Sequence, residues 1–152
     1  MAIFDGHNDL LLNLWLHHRE DPVTAFFAGV ENGHLDYPRI LQGGFGRRPV
    51  RPIRAAAGVY RPYDAAVRQP GVGSLNDILW QQLAILKAIC AHDASRARLC
   101  LSAADIERCR QDKALAMVAH IEGAGGFDAQ GRRSAGLLSR RGAQHWSVLE
   151  YR

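Results

Sequence analysis

No apolar run in this sequence approaches the roughly 18–20 residues needed to span a bilayer, because histidine or charged residues interrupt each one. A membrane partner is therefore not expected. The start, Met1-Ala2-Ile3-Phe4-Asp5, has neither the basic residues nor the apolar stretch of a secretory signal, which points to the cytoplasm. Cysteine is scarce as well. Cys90, Cys100 and Cys109 are too few and too unevenly spaced for a disulfide framework, and none has zinc-motif spacing. They read as reduced thiols behaving as small hydrophobes, with Cys90 on the apolar phase of a helix. No internal repeat is visible, so a stacked-repeat architecture is not indicated.

Acidic residues are outnumbered, 15 against 19 Lys and Arg, giving a net charge of +4. Such a balance invites a nucleic-acid reading. Its location argues otherwise. Residues 46–70 carry six Arg against one Asp, and residues 131–152 carry five Arg against one Glu. The remainder is net acidic, so the positive charge belongs to two unusual segments and no nucleic-acid partner is expected. Hydrophobic residues make up 47% of the 152, enough for one core and a single domain.

Ile3 to His7 reads as a short strand entering a turn, with Gly6 easing the backbone. Leu10 to Leu16 is strongly apolar and fits either a helix or a strand. The segment that follows gives no clear pattern. After Gly73, Ser74 is a candidate N-cap with Asp77 three residues on, a variant of the capping box. Leu75, Ile78, Leu79, Leu83, Leu86, Ile89 and Cys90 then recur at helical spacing. Ser102 and Asp105 repeat the start signal before a short polar helix. Ala114 to Ile121 is an apolar run of strand length, suited to a buried parallel strand. Strands alternating with helices point to an α/β architecture.

Three residues could carry chemistry. His7 and Asp9, two apart on an extended backbone, point the same way and can offer a nitrogen and an oxygen to one divalent metal. Taken alone, such a pair is more often a hydrogen-bonded turn. Glu122 follows directly on an apolar strand, where a carboxylate is costly unless paired or bound to metal. Considered alone, it is more often a loop carboxylate facing solvent. Only together do the three residues point to a metal site.

Phe4-Asp5-Gly6-His7-Asn8-Asp9-Leu10 resembles the opening motif of the membrane (renal) dipeptidase family, and His120-Ile121-Glu122-Gly123-Ala124 resembles its second motif. The resemblance covers Ile3–Phe45 and about Pro70–Phe127. It implies the N-terminal part of a (β/α)8 barrel of the TIM-like metal-dependent hydrolase kind, incomplete in this chain. It also implies two zinc ions in intact members, with His7 and Asp9 holding one and Glu122 bridging both. The implied reaction is zinc-dependent hydrolysis of a dipeptide by a metal-activated hydroxide.

The family's second zinc needs two histidines from later strands, which this sequence does not supply. At most a partial site is expected, and negligible activity from this chain alone. A whole barrel needs ~200 residues or more. His17, His18, His34, His92 and His145 do not fall where the absent ligands belong and read as surface or packing residues.

The two basic segments, residues 46–70 and 128–152 of the single partial barrel domain 1–152, are atypical of the family. Gly46 to Arg54 is hostile to a buried strand, where the family has one. Codons exist for this stretch that encode AGGPFALFV when read one base later. Codons for Gly142 to Arg152 likewise give ARSIGPYWSI. Both strings resemble family segments, so out-of-frame translation, restored near Pro70 in the first case and running to an early stop in the second, is the expected cause. The alternative function is a non-catalytic fragment acting only by association with another chain, a further copy of itself included.

Overall fold

The computed structural model describes Asp5 and residues 8–45, 53–57 and 73–121. Leu10–His17 resolves as a helix, α1. Leu10, Leu11, Leu12, Leu14 and Trp15 are all buried in it, so the segment is apolar nearly all round and is enclosed by neighbours. Two short helices follow. In α2 (Pro22–Ala28) the Asp21 carboxylate accepts from the Thr24 amide and proline stands in the first turn. In α3 (Tyr37–Ile40) Asp36 caps the Arg39 amide, and the chain runs on into a π-helical turn at Leu41–Phe45.

The long helix α4 (Leu75–His92) begins with the capping box that the sequence suggests, Ser74 and Asp77 bonding each other's backbone. Gly73 before it has φ +88, and a Cβ there would sit 2.9 Å from the Asp77 carboxylate, so glycine is required. The polar helix α5 (Ala103–Asp112) is capped by Ser102 and stops at Lys113 in the left-handed conformation.

Three strands, β1 (Ile53–Ala57), β2 (Ala97–Leu99) and β3 (Leu115–Ile121), form one parallel sheet in the order β1-β3-β2. Ile53 lies opposite Met117 and Ala57 opposite Ile121, while Ala97 pairs with Leu115. The middle strand is buried from both sides. Leu115, Met117 and Ala119 enter the main core, which contains Leu11, Leu14 and Trp15 of α1 and Ile78, Leu86 and Ile89 of α4. The alternate residues Ala114, Ala116 and Val118 meet a smaller cluster made by Cys100, Ile106 and Cys109. This is an α/β arrangement with apolar packing on both sheet faces.

The stretch Gly46–Arg54, expected to be hostile to a buried strand, runs at its last two residues into a strand, Ile53–Ala57. The reason is local. Proline lacks the ladder donor, but the last one, Pro52, precedes the strand, and Arg54-Ala55-Ala56-Ala57 keeps every backbone N–H. The three-residue β2 and the short helices α2 and α3 fall where the sequence carries no sustained periodicity.

Polar contacts tie the short helices down. Buried Asp36 accepts from the Val30 amide at 3.1 Å and the Arg39 amide at 2.8 Å, and pairs with the Arg39 guanidinium. Arg39 in turn donates to the Val30 carbonyl at 2.9 Å. The Arg96 guanidinium lies 4.3 Å from the Phe27 ring centre and 4.1 Å from that of Tyr37, joining the end of α4 to α2 and α3. Among the described residues, no helix is long and apolar enough to cross a membrane.

Candidate functional site

The first turn of α1 is organised by Asn8, not by Asp9. The Asn8 side-chain oxygen accepts the Leu10 amide at 3.2 Å, and its side-chain nitrogen donates to the Asp5 carboxylate at 3.1 Å. Asn8 is buried, so both ends of its amide are committed. Asp9 holds the N-cap position, yet its side chain makes no capping bond. Its main-chain oxygen accepts the Asn13 amide at 2.8 Å, and its carboxylate is exposed. A capping aspartate normally spends that oxygen on the helix. Here the carboxylate stays available, beside a helix N-terminus that favours negative charge.

Asp9 faces a cleft of about 530 Å³ whose polar lining includes Asp5, Asn8, Asn13, His17 and His34. One wall is the face of α1; the other is the loop carrying Asn32, Gly33 and His34. Gly33 has φ +147, and a Cβ there would lie 3.1 Å from Val30 and 3.3 Å from the Asn13 side-chain oxygen, so the loop sits tightly on α1. The Asp36–Arg39–Val30 network fixes that loop at both ends.

Of the three sequence-derived candidates the structure places Asp9; His7 and Glu122 lie outside the described residues. Buried Ile121, which immediately precedes Glu122, closes β3 opposite Ala57, the last residue of β1. The chain therefore leaves both parallel strands at the same, C-terminal edge, where ligands bind in sheets of this kind. Among the described residues, no three His, Cys, Asp or Glu side chains stand close enough to hold a metal. His17 and His34 are exposed, and His92 packs 5.2 Å from the Phe27 ring. His145 lies outside the described residues.

Sequence reasoning missed Asn8 as the residue that shapes the turn. The available signal was an Asn two places before a helical run, a pattern for an Asx turn. It also missed that Asn13, His17 and His34 share the cleft, which depends on a loop docking that no local pattern encodes.

No protein-family model matches the chain. Over 56 residues, 37% of this chain and 21% of its relative, it is 82% identical to an uncharacterized protein in the pqqA 5′ region of Klebsiella pneumoniae. Over 139 residues, 82% of this chain and 41% of its relative, it is 34% identical to an uncharacterized protein in the PQQ-III 3′ region of Acinetobacter calcoaceticus. A metallo peptidase from Rhodobacter sphaeroides, liganded with a phosphinate mimic of the dipeptide L-Ala-D-Ala, superposes with a TM-score of 0.73. It is 26% identical, and the match covers 91% of this chain and 43% of that one. The dipeptidase AC, a metallo peptidase of family M19, gives a TM-score of 0.72 at 26% identity, over 91% of this chain and 40% of its own. The chain thus spans less than half the length of these proteins. In both fold and sequence it is similar to two metallo peptidases, one of them a dipeptidase, over nine-tenths of its own length.

Proposed function

We propose that this chain is part of a zinc dipeptidase, its strands belonging to a (β/α)8 barrel and its cleft to the dipeptide-binding region. The likeness across 91% of the chain to a dipeptidase and to a metallo peptidase liganded with a dipeptide mimic carries this reading. The described part of the site fits a metal ligand, since the Asp9 carboxylate is exposed at the cleft and is not used to cap its helix. His7 and Asp9 would hold one zinc ion and Glu122 would bridge to a second; an imidazole and two carboxylates are donors that zinc accepts. When bound, the metal supplies Lewis acidity and an activated water for peptide hydrolysis.

The protein's own contribution is positioning. Asn8 fixes the turn and restrains Asp5, so Asp9 is presented from a rigid helix start. A cleft of about 530 Å³ is of a size that holds a small ligand such as a dipeptide. With the later histidines lacking, the 152-residue chain alone would hydrolyse dipeptides negligibly. The test is zinc titration of the full chain by calorimetry, together with hydrolysis of L-Ala-D-Ala. Asp9→Asn and Glu122→Gln should each weaken zinc binding at least tenfold. Zinc binding unchanged by both substitutions would sink the assignment.

A second reading is a non-catalytic chain that acts by association. It is favoured by β1 and β2 being the outer strands of the described sheet, where added strands or a further copy could pair. Co-purification with a longer homologue would support it. Out-of-frame translation of residues 46–70 and 128–152 remains the proposed origin of the basic segments. Sequencing the gene through both stretches decides the matter: a shifted frame lacking family-like strands rules it out.

A further inference from the structure

Cys100 and Cys109 bring their sulfur atoms to 3.5 Å, and both residues are buried. One follows β2 and the other lies on α5, nine positions on in sequence. Nothing in their sequence spacing announces this meeting. A small apolar cluster of Ala114, Ala116, Ile106 and Val118 surrounds them. A bonded pair sits at about 2.05 Å, so the two sulfur atoms must close by roughly 1.5 Å to form a disulfide. Cys90 is set apart. It lies against the opposite face of β3, with its sulfur 3.8 Å from that of Met117.

We propose that Cys100 and Cys109 form a reversible intramolecular disulfide that latches α5 to the end of β2. The oxidant is a low-molecular-weight disulfide such as glutathione disulfide. One protein thiolate attacks a glutathione sulfur, expelling one glutathione thiolate and leaving a mixed disulfide. The second protein thiolate attacks the protein sulfur of that adduct and expels the second glutathione. Two electrons pass to glutathione disulfide, and the two thiol protons end on the released glutathiones. The reverse reaction opens the latch.

Access comes through α5. Only Cys109 of this ten-residue helix is fully buried, and much of its surface is charged. An element with so few apolar contacts opens locally at low cost. Burial pushes the Cys100 thiol well above its ordinary value, as does its hydrogen bond with Cys109. The closed pair is therefore slow to react, and exchange depends on the helix lifting. Reduced, α5 is held by this small apolar cluster and the Arg98–Asp112 ion pair; oxidised, it is also held covalently.

The test refolds the full 152-residue chain in glutathione redox buffer, alkylates it, digests it and maps the peptides by mass. The expected product has lost two hydrogens and carries a Cys100–Cys109 link in both the parent and Cys90→Ser. Cys100→Ser and Cys109→Ser should give no intramolecular link. At a fixed glutathione ratio, the linked-to-unlinked ratio should be at least tenfold higher in native buffer than in denaturant. Amide exchange across Ala103–Asp112 should slow at least tenfold on oxidation. A link equally frequent in native buffer and denaturant would overturn the proposal. So would a native chain refolded under oxidising conditions that leaves this pair reduced, or that joins Cys90 instead.

Discussion

Trp15 of α1 donates its indole N–H to the Gln81 side-chain oxygen of α4 across 2.7 Å. The indole is 1% exposed, so the bond supplies the polar partner that a buried tryptophan requires. Trp15→Phe keeps an aromatic ring but loses that bond and some volume. The expected cost is about 1–2 kcal/mol, measured by urea unfolding. Trp15→Ala should cost about 3–5 kcal/mol. A Phe variant as unstable as the Ala variant would show that the bond, not the ring, holds α1 against α4.

Asp36 is 2% exposed and is used three times, by two backbone amides and by Arg39. Asp36→Ala strands those donors and should destabilise by about 2–4 kcal/mol, towards the lower end because Arg39 is itself partly exposed. The loop carrying His34 should loosen at the same time. Hydrogen exchange across residues 30–36 reads this directly.

Asp9→Asn is expected to leave stability within about 0.5 kcal/mol, since no capping bond is lost. Zinc binding should nevertheless fall. A variant that unfolds readily would mean that Asp9 is structural, and the loss of metal would then carry no weight for the site.

Hydrogen bonds from Ser74 hold the Asp77 carboxyl below its ordinary 3.8, and bonds from Ser102 and the Leu101 amide do the same for Asp105. Groups depressed in the folded state stabilise it above the unfolded value and lose that effect as pH falls through the folded one. Helicity should therefore hold through neutral pH and decline below the ordinary carboxylate range. Circular dichroism at 222 nm would follow it. At neutral pH Ser74→Ala should cost about 1 kcal/mol, and it should flatten the acid transition of α4.

Burial pushes the Cys90 thiol up to about 12. At pH 8 in native buffer it should react with a thiol reagent at a small fraction of its rate in the unfolded chain. Reaction as fast as a free cysteine would contradict its placement against Met117.

The parts of this fold legible in the sequence are those specified locally. Ser74 with Asp77, the spacing from Leu75 to Cys90, and the apolar run into Ile121 each contain their own instructions, and α4 and β3 appear where these place them. β1 is hard to read from the sequence because Arg47, Arg48, Pro49 and Pro52 dominate the window, although the strand begins only after them. Leu10 to Leu16 was undecidable because a segment that is apolar nearly all round has too little polar face to set a period. At the candidate site, the sequence singles out Asp9 by its place two residues after His7. The cleft around it was not, since it arises where the Gly33 loop settles on Asn13. The meeting of Cys100 and Cys109 is of the same kind, a product of tertiary packing.

The strand order has a consequence for synthesis. β3 stands between β1 and β2, yet it is the last of the three in the chain. On the ribosome, therefore, the two earlier strands emerge with no partner between them. Ile53 must wait for Met117, 64 positions later, before this parallel pairing can form. Until then the edges that β3 will cover stay unpaired within the described sheet. The interval between translating Ala57 and translating Ile121 is therefore one in which open strand edges invite aggregation and a chaperone would shield them.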